Sequence, residues 1–136
     1  VFVPMLMDTG GNAGTQSSTL IIRSLALGEL EFKDIVQVIW KEMRISILVG
    51  LVLGILNFLR IFFLERYSVS IALTVSIALF ITVIVGKIIG GTFPLLAKRI
   101  GLDPAIMASP LITTFVDAIA LMVYFSLAIS ILGIAM

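Results

Sequence analysis

The sequence contains neither cysteine nor histidine among its 136 residues. Without cysteine the chain cannot form a disulfide or a thiolate metal site, and without histidine it lacks the imidazole group that titrates near neutral pH. Charged residues are also scarce, at 12% of the chain, whereas soluble domains carry about 25%. The groups left for ligand chemistry are carboxylates, hydroxyls, amides and backbone carbonyls, and such oxygen ligands suit hard cations.

Apolar residues dominate what is present: they make up 60% of the sequence, and the mean hydropathy is +1.24. These values are typical of an integral membrane protein, in which about 20 apolar residues suffice for a helix to cross the bilayer. We predict an all-α transmembrane domain over residues 1–136, with four spans and one amphipathic interfacial helix. The spans are expected at about 1–27, 45–64, 68–90 and 104–134, and the interfacial helix at about 30–44.

Local patterns define the edges of these helices. From Glu29 to Arg44, apolar and charged residues alternate at helical spacing, which predicts a helix on the membrane surface with Trp40 at headgroup level. Pro94 should kink or end the third span, because proline lacks the backbone N–H that a helix uses. Asp103 followed by proline is a strong signal for the start of the last helix.

Basic residues predict the orientation of the chain. Most lie in the connector after the first span or the loop before the last: Arg23, Lys33, Lys41, Arg44, Lys98 and Arg99. We expect these segments to be cytoplasmic in a multi-pass plasma (inner) membrane protein whose C-terminus is external. Lys87 should snorkel to the same surface, or alternatively pair with a carboxylate inside the bundle. The net charge of +1, with no basic patch, predicts no nucleic-acid partner.

The last span carries one carboxylate, Asp117, near its middle. A charge at that depth costs about 2.5–3.5 kcal/mol on insertion scales and usually marks a functional site. Ser109 and Thr113 precede Asp117 in steps of four and share its face, so the helix presents a polar line. In the alternative interpretation, the hydroxyls bond back to the helix and a protonated Asp117 only holds helices together.

The first span has two distinct faces. Gly10, Gly14 and Ser17 share one face and predict close packing against another helix. The other face is polar, and its members are Asp8, Gly11, Thr15 and Thr19, with Asn12 at the edge. Facing the polar line of the last span, this surface would form a path suited to hydrated Mg²⁺, which gives up its waters reluctantly. Two copies of Asp117 around a two-fold axis would match the charge of a divalent ion, so we expect a homodimer.

Two motifs carry a resemblance to a known family. The run PMLMDTGGNAGTQSST, from Pro4 to Thr19, and the run DPAIMASPLITTFVD, from Asp103 to Asp117, resemble the membrane domain of the MgtE family of magnesium channels. The resemblance covers essentially the whole chain. It implies a homodimer with five membrane helices per subunit, of which this chain would lack the first, together with cytoplasmic regulatory domains N-terminal to the chain.

The resemblance also implies roles for individual residues. Asp117 would hold the hydrated ion, and the rest of the metal path would be Asp8, Gly11, Asn12, Thr15, Thr19, Ser109 and Thr113. Gly10, Gly14 and Pro110 would pack the pore. Relatives commonly have asparagine where this chain has Thr15 and Ser109, and this difference leaves the selectivity of the inner site open. Asp8 could serve equally as an external recruitment site or as a helix cap.

The predicted function is therefore a magnesium channel or facilitator that passes hydrated Mg²⁺ into the cytoplasm, and not an enzyme. An ion-coupled carrier of divalent cations and a structural membrane-assembly subunit are the alternatives. An intramembrane aspartyl protease would need Asp8 and Asp117 as paired carboxylates. We expect that pair not to meet, because Asp8 lies near the external end and Asp117 near the midplane.

Overall fold

A computed structural model, which describes residues 2–107 and 109–133 and leaves the Ser109 side chain undescribed, is built from helices. The four long helices are α1 (Val3–Ala26), α2 (Ile35–Leu59), α3 (Val69–Arg99) and α4 (Ser109–Leu132). Short helical turns occupy Phe32–Asp34, Arg60–Leu64 and Pro104–Met107. The Asp103 carboxylate accepts a hydrogen bond from the amide of Ala105 at 3.0 Å and so starts the last of these turns.

Three helical stretches in the described part of the chain are long and apolar enough to cross a membrane: Phe32–Leu64, Val69–Arg99 and Pro110–Leu132. Helix α1 has 24 residues, which at about 1.5 Å per residue is also sufficient length. Its polar stretch from Asp8 to Thr19 lowers its hydropathy, and the helix compensates by packing one face inside the bundle. Leu6, Ser17 and Ser18 on that face are each 1% exposed.

Helix α3 is the centre of the bundle. It packs against each of the other three long helices, while α1 also packs against α4. Small and β-branched residues along α3 are completely buried, among them Ala72, Ala78, Thr82 and Val83. Short side chains in these positions allow neighbouring helices to approach closely, which is how helices associate where lipid offers no hydrophobic driving force.

The closest approach is between α1 and α3, and it depends on glycine. A Cβ atom added to Gly86 would lie 2.7 Å from the carbonyl oxygen of Gly10, and one added to Gly90 would overlap the carbonyl oxygen of Gly14. Side chains at these positions would push the two backbones apart. The predicted packing face of the first span, Gly10 and Gly14, is therefore the face that α1 turns toward α3.

The expected division between residues 30–44 and 45–64 is absent, since one continuous helix, α2, covers most of both segments. No proline or glycine interrupts the chain near residue 44, and a single buried stripe runs through both segments: Val38, Glu42, Ser46, Gly50, Gly54 and Asn57. The stretch Phe32–Leu64 has 33 residues, or about 50 Å of helix, against a hydrocarbon layer of about 30 Å. The stretch is therefore longer than that layer is thick.

The third span also differs from expectation, because α3 continues through Pro94 and ends only at Arg99. A proline inside a helix costs about 3 kcal/mol. Tertiary packing compensates for this cost: Leu95 and Ala97 are fully buried, and Leu95 belongs to an apolar cluster with Ile21 of α1 and Val38 of α2. Burial of the last turns thus keeps them helical despite the local signal to stop.

Candidate ion-binding site between α1 and α4

A cavity of about 180 Å³ lies between α1 and α4. Helix α1 contributes four of its lining residues and α4 contributes two: Met7, Asp8, Gly11, Asn12, Thr113 and Asp117. Both carboxylates that the sequence places in these helices are thus at one cavity. An amide and a threonine stand beside them, so the lining offers oxygen ligands of the kind that hard cations prefer.

The buried ridge of α4 positions the polar residues. Ile112 and Val116 are fully buried, and Ala120 is 1% exposed, so steps of four residues carry this ridge along the helix. Thr113 and Asp117 each follow a ridge residue by one position and therefore emerge at its edge. Asp117 is half-buried there, at the boundary between the bundle and its outer surface.

The buried ridge of α4 packs against glycines of α1. A Cβ atom added to Gly14 would lie 2.7 Å from a methyl carbon of Ile112, and one added to Gly10 would lie 2.8 Å from a methyl carbon of Val116. The two helices run antiparallel, because the later residue of α1, Gly14, meets the earlier residue of α4, Ile112, and Gly10 meets Val116. The backbone of α1 consequently passes close to α4 where the cavity forms.

Gly11 has a separate role from these packing glycines, because it lines the cavity itself. A Cβ atom at this position would stand 3.1 Å from the Thr113 methyl carbon. Glycine therefore keeps the wall open beside Thr113 and leaves the α1 backbone accessible from the cavity. This wall is formed by backbone as well as by side chains, as the walls of ion pores often are.

Hydrogen bonds fix part of the lining. The Asn12 side-chain amide donates to a carboxylate oxygen of Asp8 at 3.3 Å, one helical turn away. The Thr113 hydroxyl donates to the backbone carbonyl of Pro110 at 3.1 Å, as the back-bonding interpretation of the α4 hydroxyls anticipates. Asp8 is not a helix cap, because α1 begins at Val3 and its first turn contains no acidic residue.

Asp8 and Asp117 were expected to lie at different depths, but both line this cavity. The distance of a residue from the end of its own helix does not give its depth here, because the ends of α1 and α4 are not level. Helix α4 extends well past the beginning of α1, with Ala120 and Tyr124 beside Val3 and Met7. A position near the start of α1 is therefore level with the middle of α4, and two negative charges face one space.

The remaining predicted residues lie outside this lining. Thr15 is half-buried and Thr19 is exposed, one and two turns further along α1. Pro110 is exposed in the first turn of α4 and contributes a carbonyl acceptor, not packing within the chain. The Ser109 side chain lies outside the described residues. Met7 was missed, although its position four residues before Gly11 places it on the same face.

Comparison with known proteins identifies the family. The sequence matches the family model MgtE, described as a divalent cation transporter, over residues 3–127. The chain belongs to the MgtE family. It is 37% identical over 127 residues to the magnesium transporter MgtE of Thermus thermophilus and 36% identical over 127 residues to that of Bacillus subtilis. Each alignment covers 93% of this chain and 28% of the relative.

A third relative, the magnesium transporter MgtE of Enterococcus faecalis, is 28% identical over 128 residues, which cover 94% of this chain and 28% of the relative. The chain thus spans a little over a quarter of the length of these proteins. The resemblance inferred from the glycine-rich and aspartate motifs is confirmed. The MgtE match includes all residues that line the α1–α4 cavity.

Proposed function

We propose that this MgtE-family chain is the pore domain of a magnesium channel, and that hydrated Mg²⁺ passes along the α1–α4 surface beside Asp117. The observation that carries the proposal is the convergence of Asp8 and Asp117 on one cavity whose other wall is the glycine-lined backbone of α1. A structural assembly subunit would have no need for two carboxylates at a space between its helices, given what each costs in a membrane.

The cavity fits a hydrated ion better than a bare one. Within the described residues, no group of three or more acidic side chains could surround a metal directly. Magnesium retains its waters and binds through one or two carboxylates. The volume of about 180 Å³ is large enough for an ion together with bound water. Asp8 and Asp117 would then attract the ion through its waters.

The exposed side of the site is the argument for a homodimer. Asn12 is exposed and Asp117 is only half-buried in the single chain, although a polar group facing lipid is strongly disfavoured. A second copy placed against this side would cover both residues and supply the opposite wall of the path. The two copies would also double the negative charge along the pore.

The distribution of basic residues supports a topology in the plasma (inner) membrane in which the α1–α2 connection and the loop before α4 face the cytoplasm. The C-terminus of α4 is then external. Mg²⁺ would move inward past the level that Asp8 and Asp117 share and on toward Thr15 and Thr19. In this arrangement Thr15 and Thr19 line the inner part of the path.

Proteoliposomes that contain the purified chain and an internal Mg²⁺-sensitive dye test this function. A potassium diffusion potential, negative inside, should drive Mg²⁺ entry with no gradient of protons or sodium. Protonophore and sodium ionophore should leave the rate unchanged, because a passive pore needs only the membrane potential. Cobalt hexaammine, a mimic of hydrated magnesium, should block entry from outside. Flux that requires either gradient would favour the ion-coupled carrier, and absence of flux would oppose both.

A further inference from the structure

A second and larger polar cavity, of about 520 Å³, lies between α1, α2 and α3 and is lined by none of the residues of the α1–α4 cavity. One end of this cavity lies beside Glu29 of the α1–α2 connection and Gln37 of α2. The other end lies beside Ser17 of α1 and Lys87 of α3. Apolar side chains of the membrane-facing surface, such as Leu20, form part of its wall. The proposed magnesium path leaves this space unexplained.

Lys87 lies at the inner end of this second cavity. The residue is 9% exposed, so it does not snorkel to the surface as the sequence suggested. Among the described residues, it forms neither a hydrogen bond nor an ion pair. A buried ammonium group without a partner is costly, and proteins supply such groups with a counter-charge or a ligand. The free space beside Lys87 is where that partner would bind.

Glu42 does not serve as that partner. Its side chain lines the same cavity and is 6% exposed, but it is not within ion-pairing distance of Lys87. Its carboxylate instead accepts a hydrogen bond from the Ser17 hydroxyl at 2.7 Å. The Ser17 contact joins α1 to α2 and holds the negative charge of Glu42 on one wall. Lys87 is left facing the cavity from another wall.

The charges of the lining indicate the ligand class. Lys41 adds a second ammonium group to that of Lys87, and Glu29 and Glu42 line the same space, so the cavity carries charges of both signs. An oxyanion would accept hydrogen bonds from both lysines, while Glu29 and Glu42 could accept from a hydroxyl or ammonium group attached to it. A phosphate ester with a polar substituent has this combination. Basic pockets between membrane helices bind lipid headgroups by the same chemistry.

We propose that this cavity is a binding site for a phosphate group, held by Lys87 and Lys41. The phosphate comes from a phospholipid headgroup or from a soluble phosphate that enters from the connection side. The apolar side chains of Leu20 and Ile45, which are 62% and 38% exposed, line the cavity and would contact an acyl chain. A soluble phosphate would use only the polar part of the same site.

Native mass spectrometry of the purified chain tests the site without any measurement of ion flux. The chain is titrated in detergent with dioctanoyl phosphatidylglycerol and, in a separate series, with inorganic phosphate. Lys87→Met should weaken binding of the preferred compound by about tenfold or more, because a charge-assisted hydrogen bond is lost. Lys87→Arg should retain most of the affinity and so exclude misfolding as the cause. The matched control is Lys98→Met, which removes an exposed lysine from the same helix.

Tight, saturable binding of the lipid without binding of inorganic phosphate would identify the headgroup as the natural source. Binding of phosphate alone would support the site and assign it to a soluble anion. Equal affinity of Lys87→Met and Lys98→Met for both compounds would overturn the proposal, as would failure of the wild-type chain to bind either one. Because the readout is mass, these outcomes are independent of whether the chain conducts magnesium.

Discussion

Asp117→Asn should lower magnesium flux by about 100-fold or more while leaving the fold intact. Asparagine has nearly the same shape as aspartate but carries no charge. At an effective dielectric constant of about 20, one negative charge about 5 Å from a divalent ion contributes several kcal/mol, and about 3 kcal/mol already corresponds to more than 100-fold. In a homodimer each substitution removes two charges. The potential-driven proteoliposome assay measures the effect.

The matched control is Asp34→Asn. Asp34 lies in the connection before α2, far from the cavity in the fold, and its carboxylate accepts a hydrogen bond from the Glu31 amide at 2.9 Å. An asparagine oxygen can accept the same bond, so this variant loses a charge with little structural change. It should transport like wild type. If Asp117→Asn also transported like wild type, with unchanged Mg²⁺ dependence, Asp117 would have no part in conduction.

Gly90→Ala should destabilise the chain by about 3 kcal/mol, the upper part of the usual range for overpacking. The added Cβ atom would overlap the backbone carbonyl of Gly14, and backbone cannot move aside as the end of a side chain can. Helix α1 would have to separate from α3 along the line where Gly10 also meets Gly86. Titration of the folded chain with SDS in mixed micelles gives the change in unfolding free energy.

Gly54→Ala provides the comparison, because it makes the same chemical change in the same bundle. A Cβ atom at Gly54 would lie 3.5 Å from the carbonyl oxygen of Ser76, an ordinary van der Waals contact. Alanine is favoured over glycine in helices by about 1 kcal/mol, so this variant should be neutral or slightly stabilised. Equal stability of the Gly90 and Gly54 variants would show that the α1–α3 crossing is not as close as described.

The sequence predicted the parts of this molecule that depend on local pattern. The helical positions of Gly10 and Gly14 define one face, and those of Asp8 and Gly11 define another, because helical spacing alone assigns residues to faces. The family assignment rested on two motifs and is confirmed. Asp117 stood out because a lone carboxylate in an apolar run is costly wherever the helix packs.

The parts that depend on tertiary packing were not predictable. Pro94 is a local stop signal, but burial of Leu95 and Ala97 keeps α3 helical beyond it. The charged residues around Glu42 predict an exposed position. Glu42 is nevertheless buried, and Ser17, 25 residues earlier in the chain, donates a hydrogen bond to its carboxylate. Nothing near Glu42 in the sequence indicates that distant partner.

The relation between Asp8 and Asp117 was missed for a similar reason. The sequence gives only the distance of each residue from the end of its own helix. The relative displacement of α1 and α4 along their axes decides whether the two carboxylates are level, and that displacement follows from the contacts of Gly10 and Gly14 with the α4 ridge. A difference of one helical turn in this displacement, about 5.4 Å, would be enough to move Asp8 and Asp117 to different levels.

The central claim is that the α1–α4 cavity holds a hydrated magnesium ion, and an NMR titration of the purified chain in detergent tests it most directly. Backbone amide signals from Asp8 to Thr19 and from Thr113 to Asp117 are followed as Mg²⁺ is added to the wild-type chain and to Asp117→Asn. The account predicts saturable shifts in both stretches, their competition by cobalt hexaammine, and their loss in the variant. Shifts that persist unchanged in Asp117→Asn, or that appear in neither stretch of the wild-type chain, would contradict it.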